Sequence, residues 1–214
     1  MRTVAVLGSG QVGDALSAGF LKYGDAVVRG TREPAKLEAW RKQAGGSASV
    51  GTFADAARRG EIVVLAVKGT AAEAVVDAAG ADALHGKVVI DATNPIAERP
   101  PDHGVLHFFT TLEQSLMERL QAKVPGARFV KAFSCVGNAL MVDPDLGARP
   151  TMFICGNDPD ARRVVADICT RFGHDVEDLG EAEAARAIEP LAILWCIPGF
   201  RSNSWMHALR LLRK

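Results

Sequence analysis

The residues best suited to chemistry lie in the first hundred positions. Gly8-Ser9-Gly10-Gln11-Val12-Gly13 fits the pattern G-x-G-x-x-G. Each glycine answers a different need. Gly8 permits a tight turn, Gly10 leaves room for backbone to approach a pyrophosphate, and Gly13 lets a helix lie close on a strand. A helix that opens at such a turn offers unpaired N–H groups and a partial positive charge to phosphates. Glycines are common, so the pattern gains meaning from its flanks. The apolar run Val4 to Leu7 precedes it and reads as a strand buried on both faces. Val12, Leu16, Gly19, Phe20 and Tyr23 follow at helical spacing. This context points to a bound dinucleotide.

The end of the second strand tells which dinucleotide. An acid about 20 residues past the turn would bond a ribose 2′-hydroxyl. Here the chain reads Arg29-Gly30-Thr31-Arg32, with Lys36 one helical turn on. The acid is missing, and a hydroxyl and a guanidinium stand in its place. The guanidinium fork matches two phosphate oxygens at once. The expected ligand is therefore NADP(H), with Thr31, Arg32 and Lys36 on its 2′-phosphate. Ala66-Val67-Lys68 and Asp91-Ala92-Thr93-Asn94-Pro95 end two further strands at the same sheet edge. Ligands of open α/β sheets sit outside such ends. Asn94-Pro95 reads equally well as an ordinary turn.

The elements that must position these residues alternate between strand and helix. Strands are expected at Val4 to Leu7, Ala26 to Arg29, Glu61 to Val67, Lys87 to Asp91, Phe129 to Phe133 and Thr151 to Cys155. His174 to Leu179 is a further short strand. Helices are expected from Gln11 to Tyr23, from Pro34 past Trp40, from Thr52 through Arg58, over Ala71 to Ala79, Leu112 to Val124 and Pro159 to Phe172. Gly45 to Ser49 and Asn94 to Gly104 read as loops. From Ala182 to the end the pattern is helical, broken at Pro198-Gly199. The fold class that follows is α/β: a Rossmann-type, doubly wound, mostly parallel sheet with a small C-terminal α/β annex. The expected division is residues 1–125 for dinucleotide binding and 126–214 for an annex continuing the sheet.

Bulk properties exclude several classes. The chain has 214 residues, of which 48% are hydrophobic, enough for a real core. Lysine and arginine number 25 and so do the acids, which removes the electrostatic case for nucleic acid or an anionic membrane. No apolar run approaches the ~20 residues that span a bilayer. The start reads as a strand and not as a signal peptide. Cys135, Cys155, Cys169 and Cys196 form no Cys-x-x-Cys pair and no zinc-ligand spacing. No metal is expected, and the reduced thiols suit the cytoplasm.

The motifs together resemble a known family. VAVLGSGQVGDAL, GTREPAK, LAVKGTAAEAV, KVVIDATNP, PGARFVKAFSCVG, RPTMFICGND and ARAIEPLAILW occur in its order and spacing. The chain is similar to the NADPH-dependent reductases of the deazaflavin coenzyme F-420, a group that includes the cytosolic domain of the transmembrane metalloreductases. The resemblance implies that Gly8, Ser9, Gly10, Gln11 and Val12 hold the pyrophosphate and that Thr31 and Arg32 hold the 2′-phosphate. It implies that Ala66, Val67, Asn94 and Pro95 line the ribose and nicotinamide. It places Ala132, Phe133 and Ser134 beneath the nicotinamide. Where the family reads like KAFNT this chain reads KAFSC, which changes a hydrogen-bonding group there. The segment Ala97 to Phe109 is also longer than the family's usual one.

Hydride transfer from NADPH to a flavin or deazaflavin ring needs little acid–base help. That agrees with a chain lacking a Ser/His/Asp order, a Tyr-x-x-x-Lys pair or a metal site. No residue is assigned a catalytic role. His103 and His107 are either solvated loop residues or able to approach a small-molecule substrate. Two other functions stay open: a reductase of small carbonyls or imines, and a non-catalytic NADP(H) sensor. The late segment carries Ile188, Leu191, Leu194, Trp195, Trp205, Leu209, Leu211 and Leu212, more apolar surface than one-sided packing needs. With the family's habit of pairing, it predicts a homodimer through this terminal helix.

Overall fold

A computed structural model describes residues 1–214. Its centre is a six-stranded parallel sheet in the order β3-β2-β1-β4-β5-β6. The strands are β1 (Thr3–Leu7), β2 (Ala26–Gly30), β3 (Ala48–Gly51), β4 (Ile62–Leu65), β5 (Val88–Asp91) and β6 (Arg128–Lys131). The order reverses between β1 and β4, which opens a crevice at their carboxyl ends. The strands alternate between two cores. Val4 and Val6 face one side, and Ala5 and Leu7 the other.

Helices cover both faces, as a parallel sheet requires. On the first side lie α1 (Gln11–Lys22) and, much later in the chain, α7 (Pro159–Arg171), through Leu16, Phe20, Val165 and Ile168. After α2 (Glu38–Ala44) on the sheet's flank come three helices of the second side. These are α3 (Phe53–Arg59), α4 (Gly69–Ala79) and the single turn α5 (Ala81–Leu84), joined later by α6 (Leu116–Lys123). Their Ala56, Ala72, Val76, Leu84 and Leu120 complete the second core.

Four local expectations are corrected. The loop expected at Gly45 to Ser49 contains the start of β3, which pairs Val27 with Ala48 and Val28 with Ser49. Small residues suit this edge because α3 crosses close by; a Cβ on Gly51 would come 3.0 Å from that of Asp55. The helix expected from Leu112 begins only at Leu116. Ser115 caps it, its hydroxyl accepting from the Glu118 N–H while the Glu118 carboxylate accepts from the Ser115 N–H. This capping box fixes the start against a longer apolar pattern.

The third correction concerns the annex. β7 (Thr151–Ile154) and β8 (Asp175–Asp178) form their own two-stranded parallel sheet. They touch β6 through one antiparallel bridge, Lys131 with Cys155. Two residues past β6, Phe133 takes φ 60° and turns the chain. The fourth concerns the C-terminus. After α8 (Ala185–Ile188), α9 (Leu191–Ser202) runs through Pro198 without a break and stops at Asn203, at φ 51°. The remaining residues are not helical. Trp205 folds back over Gly199, where a Cβ would meet its ring at 2.2 Å. Trp195 and His207 exchange bonds at 2.8 and 2.9 Å. Leu209 then accepts from Thr151 at the start of β7. These contacts select a returning strap over a continued helix.

Candidate functional site

The glycine turn is built by crowding at two positions and by emptiness at the third. Gly8 has φ 145°, and a Cβ there would lie 2.1 Å from the Ala66 carbonyl oxygen. The turn thus passes hard against the end of β4. A Cβ on Gly13 would lie 2.9 Å from the Gly8 carbonyl oxygen. Gly10 differs: its φ of −91° suits any residue, and nothing lies within 4 Å of its Cβ position. A side chain there would enter open space above the turn. Gly10 is also the N-cap of α1, and no side chain caps that helix. Its first N–H groups are left for a ligand.

That open space is part of a cleft of about 570 Å³ at the carboxyl edge of the sheet. Gly8, Ser9, Gly10, Gln11, Val12, Thr31, Arg32, Lys36, Ala66, Val67 and Lys68 all line it. Asn94, Pro95, Ala132 and Ser134 do not. Ala132 is fully buried in the first core. Asn94 and Ser134 are joined, the Asn94 amide donating to the Ser134 carbonyl at 2.6 Å. Asn94 Oδ1 and Ser134 Oγ are both buried without a hydrogen-bond partner. Unpaired buried polar atoms are rare; here two lie on neighbouring strand ends.

Some lining residues were not foreseen. Phe53 and Val75 give the cleft an apolar wall beside Ala92, which lies in the strand-end segment expected there. Phe53 opens α3, whose expected start at Thr52 is fixed by the Thr52–Asp55 capping box. Glu33 also lines the cleft, beside Arg32. It pairs with Lys36 at 2.8 Å, and that bond holds its carboxyl below the usual glutamate range. The basic end of the cleft therefore carries an acid of its own.

Beneath the strand ends lies a buried charge cluster. Lys131 Nζ is 2.7 Å from Asp91 and 2.9 Å from Glu189, and it donates to the Thr93 carbonyl at 2.9 Å. All three charged side chains are essentially inaccessible. Burial works against the charge on Lys131, but Asp91 and Glu189 outweigh it and hold the ammonium above the usual lysine value. Glu189 also accepts from the Leu116 and Met117 N–H groups at the start of α6. Asp91 accepts from the Thr93 N–H and hydroxyl. It is thus a structural carboxylate. The sequence alone offered no sign that Lys131 of β6 and Glu189 after α8 would join it in one cluster.

The histidines stand apart from the cleft. His107 pairs with Asp102 at 2.9 Å and touches Arg99. His103 lies in a separate open groove beside Phe200 and Arg201. Three of the four thiols are buried, and Cys196 is half-buried; burial raises Cys135 to about 11 and Cys155 to about 12, so both stay protonated. No group of three or more His, Cys, Asp or Glu side chains could hold a metal ion. No helix is long and apolar enough to cross a membrane.

Several known proteins resemble the chain. The family model for NADP oxidoreductases, coenzyme F420-dependent, matches residues 3–95. The chain is 29% identical to metalloreductase STEAP3 of Rattus norvegicus over 203 residues, covering 91% of this chain and 38% of that protein. It is 28% identical to the F420-dependent NADP reductase of Methanocaldococcus jannaschii over 141 residues, 65% of this chain and 62% of that one. It thus spans less than two thirds of either relative's length. A solved structure from Arthrobacter sp. FB24, described as a "putative f420 dependent nadp-reductase", matches with a TM-score of 0.93 and 32% identity over 100% of both chains. Identity at that level, end to end, carries the likeness past the residues that the family model spans, and the chain belongs to the family of coenzyme F420-dependent NADP oxidoreductases.

Proposed function

We propose that the chain moves a hydride between NADP(H), held in the cleft, and the ring of a flavin or deazaflavin. One observation carries the reading: the space left at Gly10 continues into a cleft that ends at Thr31, Arg32 and Lys36. The cleft fits the dinucleotide. Its pyrophosphate would lie on residues 8–12 and its 2′-phosphate on Thr31, Arg32 and Lys36. Its nicotinamide end would lie toward Ala66, Val67, Lys68, Asn94, Pro95, Ala132 and Ser134. When bound, the cofactor supplies the hydride-bearing ring.

The protein's part is to bind and orient. The walls of the cleft present no histidine, tyrosine or cysteine, and Lys68 is the one side chain toward the nicotinamide end that could move a proton. A ring acceptor takes a hydride without a protein acid, whereas reduction of a carbonyl gains from one. This favours the ring. The four free thiols fit a cytoplasmic enzyme. We also propose that two copies pair through α9 and the returning strap, where Leu194, Met206 and Leu212 are exposed.

The test is NADPH consumption with flavin mononucleotide, a deazaflavin, and small aldehydes and imines as acceptors. Turnover with the ring compounds and none with the carbonyl compounds is expected. Turnover confined to aldehydes or imines would reverse the assignment. Tight NADPH binding with no turnover on any acceptor would identify a sensor instead.

A further inference from the structure

Arg29 is the largest side chain that the fold buries completely. It lies one residue before the end of β2, between Val6 of β1 and Val50 of β3. Its guanidinium reaches back under the glycine turn. Nη2 donates to the Gly8 carbonyl at 2.9 Å, and the Cβ position of Gly13 is 3.0 Å from the same nitrogen. Nη1 pairs with Asp14, and the Trp40 ring covers the guanidinium at 4.9 Å.

A guanidinium does not lose its proton in a protein. The turn is therefore backed by a permanent positive charge. The only carboxylate paired with it is Asp14, in the first turn of α1, whose side chain is 54% exposed. An acid in the first turn suits a helix standing alone. It opposes a helix end that must receive a diphosphate. Without an anion on the turn, Asp14 balances Arg29. With one, the guanidinium is balanced from the other side and Asp14 is surplus negative charge.

We propose that Arg29 is a positioning residue for the pyrophosphate, fixing the Gly8 carbonyl and supplying charge through the turn, and that Asp14 limits how tightly the turn holds its ligand. This rests on the cleft being the NADP(H) site. The test compares binding of NADPH with that of 2′-AMP, which carries the 2′-phosphate but no pyrophosphate. Asp14→Asn should bind NADPH about three- to tenfold more tightly, with a steeper salt dependence and unchanged 2′-AMP affinity. Arg29→Met should bind NADPH at least about tenfold more weakly, and Arg29→Lys should fall between. If Arg29→Met does not fold, Asp14→Asn decides alone, since its side chain is half exposed. Unchanged NADPH affinity in Asp14→Asn overturns the proposal, as does an equal gain for 2′-AMP. A wild type that binds no NADPH overturns the reading of the cleft as well, and so is distinct from either.

Discussion

On the proposed reading, Arg32 and its neighbours select the dinucleotide that the cleft accepts. An NADH ribose offers them a hydroxyl, whereas NADPH offers a phosphate for a charge-assisted bond. Wild type should bind NADPH at least about ten times more tightly than NADH, and Arg32→Ala should remove most of that ratio. Equal wild-type affinities in a titration of both nucleotides would remove the 2′-phosphate assignment. That Thr31, Arg32 and Lys36 would line the cleft was legible, because they stand where the motif otherwise demands an acid. The opposing influence of Glu33 was not, because an exposed acid beside a lysine reads as an ordinary helix-surface pair. Only its place on the cleft wall would give it a role: on the proposed reading, a bound phosphate competes with it for Lys36.

At the scale of elements, the starting point of α6 governs how the annex helices meet the sheet. Glu118 closes the capping box and also takes a fork from Arg186, at 2.5 Å to the nearer nitrogen. Chiefly because of Arg186, its carboxyl titrates near 2. A folded-state value below the unfolded one contributes stability above about pH 4.5. That contribution is lost as pH falls toward 2. Glu118→Gln should cost about 1–3 kcal/mol at pH 7 and converge with wild type in acid. Denaturant melts at pH 7 and pH 3 measure both arms, and parallel curves would remove the pair from the stability account. The capping residues lie in the sequence at the right spacing. The apolar pattern from Leu112 onward masked them, because it extends beyond the helix it belongs to.

For the whole molecule, the alternation of strand and helix was enough to read the doubly wound sheet. The course of the C-terminus was not, because it depends on Trp205 meeting the bare backbone at Gly199. Propensity holds no record of such a contact. The corrected path changes which residues face outward. Leu194, Met206 and Leu212 are 54%, 63% and 77% exposed, an apolar surface suited to a partner. Light scattering should show a dimer for wild type and a monomer for Leu194→Glu combined with Met206→Glu. Both positions are surface ones, so the melting temperature of the monomer's own fold should change little. A monomeric wild type, or a dimeric double variant, would exclude this interface.

The contrast among the three glycines of the turn bears on how natural selection sees them. Gly8 and Gly13 are held by the fold itself, since a methyl group at either would strike backbone. Gly10 is free of any such demand, with an unremarkable φ and empty space before it. Drift that preserved the fold but abandoned the ligand would keep the first and third glycines and let the second go. The middle position is thus the one where a descendant's sequence reports on its trade and not on its architecture.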